Sequence, residues 1–183
     1  MNKFFKFVNI LAVITLSISA CSLLVVQAQP EEQTTQKAIP YQTMLGKSIG
    51  DMEVADFIVN NCASAGQFQV CKDVGMALWT DASQIIGKVY LYAGRVDGFK
   101  RYRGELPFGL SFYDPMWKVE EQLRKLGADE IAQAALETGL PDEGSSPDHI
   151  HYWAVYKRFN VVIIYDTPFA DEDAYIYAIV INY

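Results

Sequence analysis

Gly46-Lys-Ser48-Ile49-Gly-Asp51 and Gly109-Leu-Ser111-Phe112-Tyr-Asp114 share one pattern, Gly-x-Ser-apolar-x-Asp, and each stands before a stretch of helical character. Asp51 and Asp114 are residues that cap helix N-termini, and Pro115 suits a first helical position. In the second stretch Met116, Val119, Leu123 and Leu126 recur every three or four residues, forming one apolar face that Gly127 ends. After each helix comes a connecting region and then an apolar strand ending in Asp: residues 75–81 (GMALWTD) and 160–166 (NVVIIYD). A short polar turn and a further strand follow both, residues 85–92 (IIGKVYLY) and 175–182 (YIYAIVIN). Helix, strand, turn and strand therefore occur twice in the same order.

The second half carries more. Residues 128–138 (ADEIAQAALET) place Ile131, Ala135 and Leu136 on a second helical face, residues 140–148 read as a loop, and residues 149–157 (HIHYWAVYK) as a strand. Residues 96–105 (VDGFKRYRGE), with Lys100, Arg101 and Arg103, read as a solvated linker between the halves. The expected fold is α+β: two tandem units, residues 41–104 and 105–183, each of helix plus antiparallel strands, with the helices packed on one face of the sheet.

The N-terminus reads as an address. Lys3 and Lys6 precede residues 7–26, which hold no charge, so residues 1–28 are expected to act as an export signal. Ile18-Ser19-Ala20-Cys21 resembles a lipobox, in which Cys21 takes lipid; Val26-Gln27-Ala28 resembles an ordinary cleavage site; an uncleaved anchor is the third route. All three place the folded part outside the cytoplasm, in the periplasm or at the outer membrane, with membrane contact only through this anchor. Residues 29–40 (QPEEQTTQKAIP) form a polar tether.

Charge and cysteine usage agree with that address. Of 183 residues, 51% are hydrophobic and 13% aromatic, which excludes a disordered chain. The formal charge is −7, and removing residues 1–28 subtracts only two lysines, giving −9. Nucleic acid is an unsuitable partner for such a surface, and a basic protein a suitable one. Cys62 and Cys71 flank a stretch that doubles back around Gly66, and a disulfide between them is expected in an oxidising compartment.

The phrase Gly-Leu-Ser-Phe112…Val119…Leu126-Gly127, with the order of elements, resembles the small exported lipoproteins of the BamE (SmpA/OmlA) type. Tyr113 and Asp114 stand where their phrase has Gly and Met. Two such units in tandem are similar to the secreted β-lactamase inhibitor proteins. The resemblance implies a binding or inhibitory module rather than an enzyme, and it carries over no single functional residue.

The residues themselves point to binding. In the last strands Tyr175, Tyr177, Ile179 and Ile181 alternate with Ile176, Ala178 and Val180, and Tyr90 and Tyr92 alternate with Val89 and Leu91. A sheet covered by helices on one face should alternate apolar with polar. One reading places the aliphatic set under the helices and Tyr90, Tyr92, Tyr175, Tyr177 and Trp153 on an open face that binds another protein, as aromatics commonly do. The other buries them under residues 128–138 or a long loop. His149 and His151, two apart on a strand, could hold a metal with Asp142, Glu143 and Asp148, or with Asp171, Glu172 and Asp173 approaching from the last turn, and a metal-dependent hydrolase is the competing class. No HExxH or P-loop occurs, and the favoured reading needs neither cofactor nor catalytic residue.

Overall fold

The computed structural model describes residues 40–94, 98–128, 132–137 and 150–183. The export signal with Cys21, the tether up to residue 39, the loop at 140–148 and His149 lie outside the described residues.

The two Gly-x-Ser phrases form the same turn. Gly46 and Gly109 both have positive φ, 79° and 69°. Ser48 Oγ accepts the Gly50 N–H at 3.1 Å, and Ser111 Oγ accepts the Tyr113 N–H at 3.2 Å. The Ser48 and Ser111 carbonyls then take the N–H groups of Asp51 and Asp114. Helix α1 follows at Met52–Asn61 and helix α2 at Met116–Lys125. The expected caps differ in detail. Asp51 holds the N-cap position of α1 without a side-chain cap bond, and Pro115 is the N-cap of α2 rather than its first helical residue. The buried Asp114 carboxylate turns back instead, accepting from the Ser111 N–H and the Lys118 ammonium.

Eight strands follow in chain order: β1 Ala63–Ala65, β2 Phe68–Cys71, β3 Met76–Thr80, β4 Ile86–Tyr92, β5 Ala132–Glu137, β6 Ile150–Tyr156, β7 Val161–Tyr165 and β8 Ile176–Asn182. They form one antiparallel sheet in the order β1-β2-β3-β4-β8-β7-β6-β5. The fold is therefore α+β with both helices on one sheet face, and it is one continuous sheet rather than two separately packed units. The described residues 132–137, expected within a helix over 128–138, are a strand. Ala132–Glu137 pairs with β6 as the outermost strand, because β6 would otherwise leave a whole edge of backbone donors and acceptors unpaired. The stretch around Gly66 is a small hairpin, β1 with β2, and the Cys62–Cys71 disulfide closes it at the end of α1.

Matched irregularities recur on the two sides of the β4–β8 seam. A 3-10 turn at Lys72–Val74 ends on left-handed Gly75, and one at Lys157–Phe159 ends on left-handed Asn160. In the β3–β4 pairing Trp79 faces Lys88 and Thr80 faces Ile86, so Gly87 is an extra residue. In the β7–β8 pairing Ile164 faces Ala178 and Tyr165 faces Ile176, so Tyr177 is the extra residue. Each bulge changes which face the following side chains take. Strict alternation along residues 175–181 is thereby broken. Ile176, Ile179 and Ile181 pack toward the helices, and Tyr177, Ala178 and Val180 toward the other face.

Val54 and Phe57 of α1, with Met116, Val119 and Leu123 of α2, share one core with Met76, Leu78, Val89, Leu91, Ile163, Ile179 and Ile181. The described part of the linker also belongs to the packed body, contrary to its reading as a solvated connection. Phe99 and Tyr102 are buried, the Lys100 N–H bonds to the Lys72 carbonyl, and the Tyr102 N–H to the Tyr92 carbonyl. Lys100 and Arg103 remain exposed, and Lys100 pairs with Asp73 at 2.8 Å.

Candidate functional site

The register puts side chains in rows across the sheet face that carries neither helix. One row runs Val70, Ala77, Tyr90, Val180 and Val162 across β2, β3, β4, β8 and β7. A second runs Tyr92, Ala178, Ile164 and Trp153 across β4, β8, β7 and β6. A third brings Phe68, Trp79, Lys88 and Asn182 into line. Among the described residues no helix covers these rows.

The aromatics on this face are not equivalent. Tyr90 is half-buried between the small neighbours Ala77 and Val180, with Phe68 edge-on to its ring at 5.9 Å. Burial raises its phenol pKa above the ordinary 10.0. Trp153 and Trp79 are also half-buried, and the Lys88 ammonium lies 5.3 Å from the Trp79 ring centre. Tyr92 is fully buried and stacks on Phe99 of the linker with ring centres 3.9 Å apart. Tyr177, on its bulge, packs against the His151 ring at 4.0 Å.

Four of the five aromatics read from the sequence as one group therefore share this face: Tyr90, Tyr92, Trp153 and Tyr177. Tyr175 does not. It precedes the bulge, is 51% exposed, and bridges Pro115 at the start of α2. Phe68 and Val162 belong to the face and were missed. Phe68 follows the turn at Gly66 within an unforeseen strand, and Val162 sits in an apolar run whose facing periodicity alone does not give.

His151 is buried, with Nδ1 3.2 Å from the Tyr165 carbonyl oxygen. Of the other candidate ligands, His149, Asp142, Glu143 and Asp148 fall outside the described residues, and Asp171, Glu172 and Asp173 are exposed on the turn before β8. Among the described residues no three His, Cys, Asp or Glu side chains gather as a metal site. Comparison with protein-family models, curated proteins and solved structures gave no match.

Proposed function

We propose that this chain is an exported, non-enzymatic binding protein of the cell envelope, which holds another protein against the helix-free face of its sheet. The observation that carries this reading is the set Phe68, Trp79, Tyr90 and Trp153: half-buried aromatics from four strands on a face that neither helix covers. Such side chains offer large contact area at small entropic cost, and a continuous sheet holds them in place. The Cys62–Cys71 disulfide supports an oxidising location, where such bonds persist. The acidic chain, −7 overall, favours a basic partner. An assembly factor, an inhibitor and an immunity protein all work this way.

The finer architecture belongs to the same proposal: two copies of one α-β-β-β-β unit joined at the β4–β8 seam, in the manner of tandem BamE-type modules. The matched Gly-x-Ser turns, the left-handed residues Gly75 and Asn160, and the bulges at Gly87 and Tyr177 support it.

The test is site-specific photo-cross-linking in the native envelope. A cross-linking residue at Tyr90 or Val162 is expected to capture one protein, and the same residue at Val59 on the exposed side of α1 is not. Trp153→Ala should weaken binding of the captured protein roughly thirtyfold with little loss of melting temperature. Equal capture from Val59, or a collapse of the fold with Trp153→Ala and Tyr90→Ala alike, would remove the reading.

A further inference from the structure

Four exposed aromatics lie on the two chain segments that meet where α2 begins. Tyr113, Trp117, Phe169 and Tyr175 are between 49% and 66% exposed. They come from two short segments, 113–117 and 169–175, which backbone hydrogen bonds hold together: Met116 N–H to the Ala174 carbonyl at 2.9 Å, and Trp117 N–H to the Glu172 carbonyl at 3.2 Å. Pro115 faces Tyr175 across an isolated bridge at the same junction. Single exposed apolar residues need no explanation, but four large ones on two segments bonded to each other are a concentration of the kind that marks a binding site.

The surroundings indicate the occupant. An open groove of about 750 Å³ adjoins the patch, lined by Met116, Trp117, Glu120, Arg124 and Glu172 among others. Along its helical wall the charges cancel, Glu120 with Arg124 and Glu121 with Lys125. At the turn they do not. Asp171, Glu172 and Asp173 are all exposed, and none has an ion-pair partner among the described residues. Asp171 accepts the Asp173 N–H through its carboxylate and the Ala174 N–H through its carbonyl. The patch already holds one guanidinium: Arg101 lies 4.3 Å from the ring centre of Tyr113. Aromatic faces beside uncompensated carboxylates attract arginine and lysine, through the ring quadrupole and through charge.

We propose that this junction is a docking site for an arginine- and lysine-bearing segment of a partner protein, with Trp117 and Tyr175 stacking on its cations and Asp171, Glu172 and Asp173 pairing with them. A second copy of the acidic chain and an anionic lipid surface would both be repelled here. The proposal does not depend on the sheet face binding anything.

The test uses the processed full-length protein and a fluorescein-labelled peptide alternating Arg and Gly, read by anisotropy at physiological ionic strength. Trp117→Ala should weaken binding roughly tenfold. The pair Asp171→Asn with Glu172→Gln should do the same. An equal charge change on α1, Glu53→Gln with Asp56→Asn, should weaken it by less than about twofold. Phe169→Ala serves as the second aromatic variant if Trp117→Ala lowers the melting temperature. Equal weakening by the α1 pair would mean that the peptide follows net charge alone and would overturn the proposal. So would unchanged affinity in both Trp117→Ala and Phe169→Ala. Loss of peptide binding in Tyr90→Ala would assign the peptide to the sheet face and overturn it too.

Discussion

Gly75 has φ +72°, and a Cβ there would sit 2.3 Å from both the Lys100 carbonyl oxygen and the Tyr102 nitrogen. The linker backbone therefore lies where any side chain would go. Asn160 ends the other 3-10 turn at φ 52°, in a conformation that Asn tolerates better than most residues. Gly75→Ala is expected to destabilise by more than about 2 kcal/mol, combining left-handed strain with a clash against backbone. Asn160→Gly should stay within about 1 kcal/mol. Urea unfolding of both variants checks the contrast, and a mild Gly75→Ala would mean that the linker can move away. The aromatics separate in the same way. Tyr92→Ala opens a cavity in packed surroundings and should cost about 3–5 kcal/mol, whereas Tyr175→Ala, at an exposed bridge, should change stability by under about 1 kcal/mol. Thermal melts of the two variants decide it. At this scale the sequence was legible where chemistry is local: the cysteine pair follows from neighbouring residues, and the two Gly-x-Ser phrases marked both helix entries without revealing their Ser turns. That Tyr177 is buried while Tyr175 stays 51% exposed was not legible, because it depends on what the folded chain packs over each position.

Between α2 and the sheet lie three phenols, Tyr152 and Tyr156 of β6 and Tyr165 of β7, all buried. Burial is the first reason their pKa values are raised above 10.0, and the charge of Glu120 on α2 adds to it for all three. A raised acid pKa in the folded state means that the unfolded chain releases its protons first. Stability from these groups is thus fully present below about pH 10 and is lost as pH rises beyond it. Absorbance at 295 nm and circular dichroism followed together should show these tyrosines ionising only as the fold is lost. Ionisation of all tyrosines at pH 10 with the fold intact would contradict this. Toward the other end of the sheet, on the same face, the disulfide ties the end of α1 to β2. Its loop of nine residues' separation gives about 2–3 kcal/mol in the chain-entropy account. Reduction, or Cys62→Ser with Cys71→Ser, should lower stability by that amount in urea titration and leave the far-ultraviolet spectrum unchanged.

The whole molecule is organised around the β4–β8 seam, where Lys88 faces Asn182 and Tyr92 faces Ala178. Val89 and Leu91 from one side, with Ile179 and Ile181 from the other, enter a single core under both helices. Neither half can bury its seam strand alone, and a lone half would present a long apolar edge. Residues 41–104 and 105–183 expressed separately are therefore expected to be aggregated or unfolded, and to regain structure on mixing. Two independently folded halves with sharp melts would show that the seam is only a contact between domains.

What neighbouring residues impose, the sequence determined by itself: the turns built on Ser48 and Ser111, the two amphipathic helices, the cysteine pair and the spans of the apolar strands. Hydrogen bonds two or three residues apart and a 3.6-residue period need no distant partner. Only the tertiary structure decided the rest. Residues 132–137 became a strand because β6 required an edge partner, overriding their alanine-rich helical preference. The bulges at Gly87 and Tyr177 chose which aromatics face away from the helices. The meeting of residues 113–117 with 169–175 joined side chains that lie more than fifty positions apart in the chain, through bonds that only the assembled sheet brings within reach.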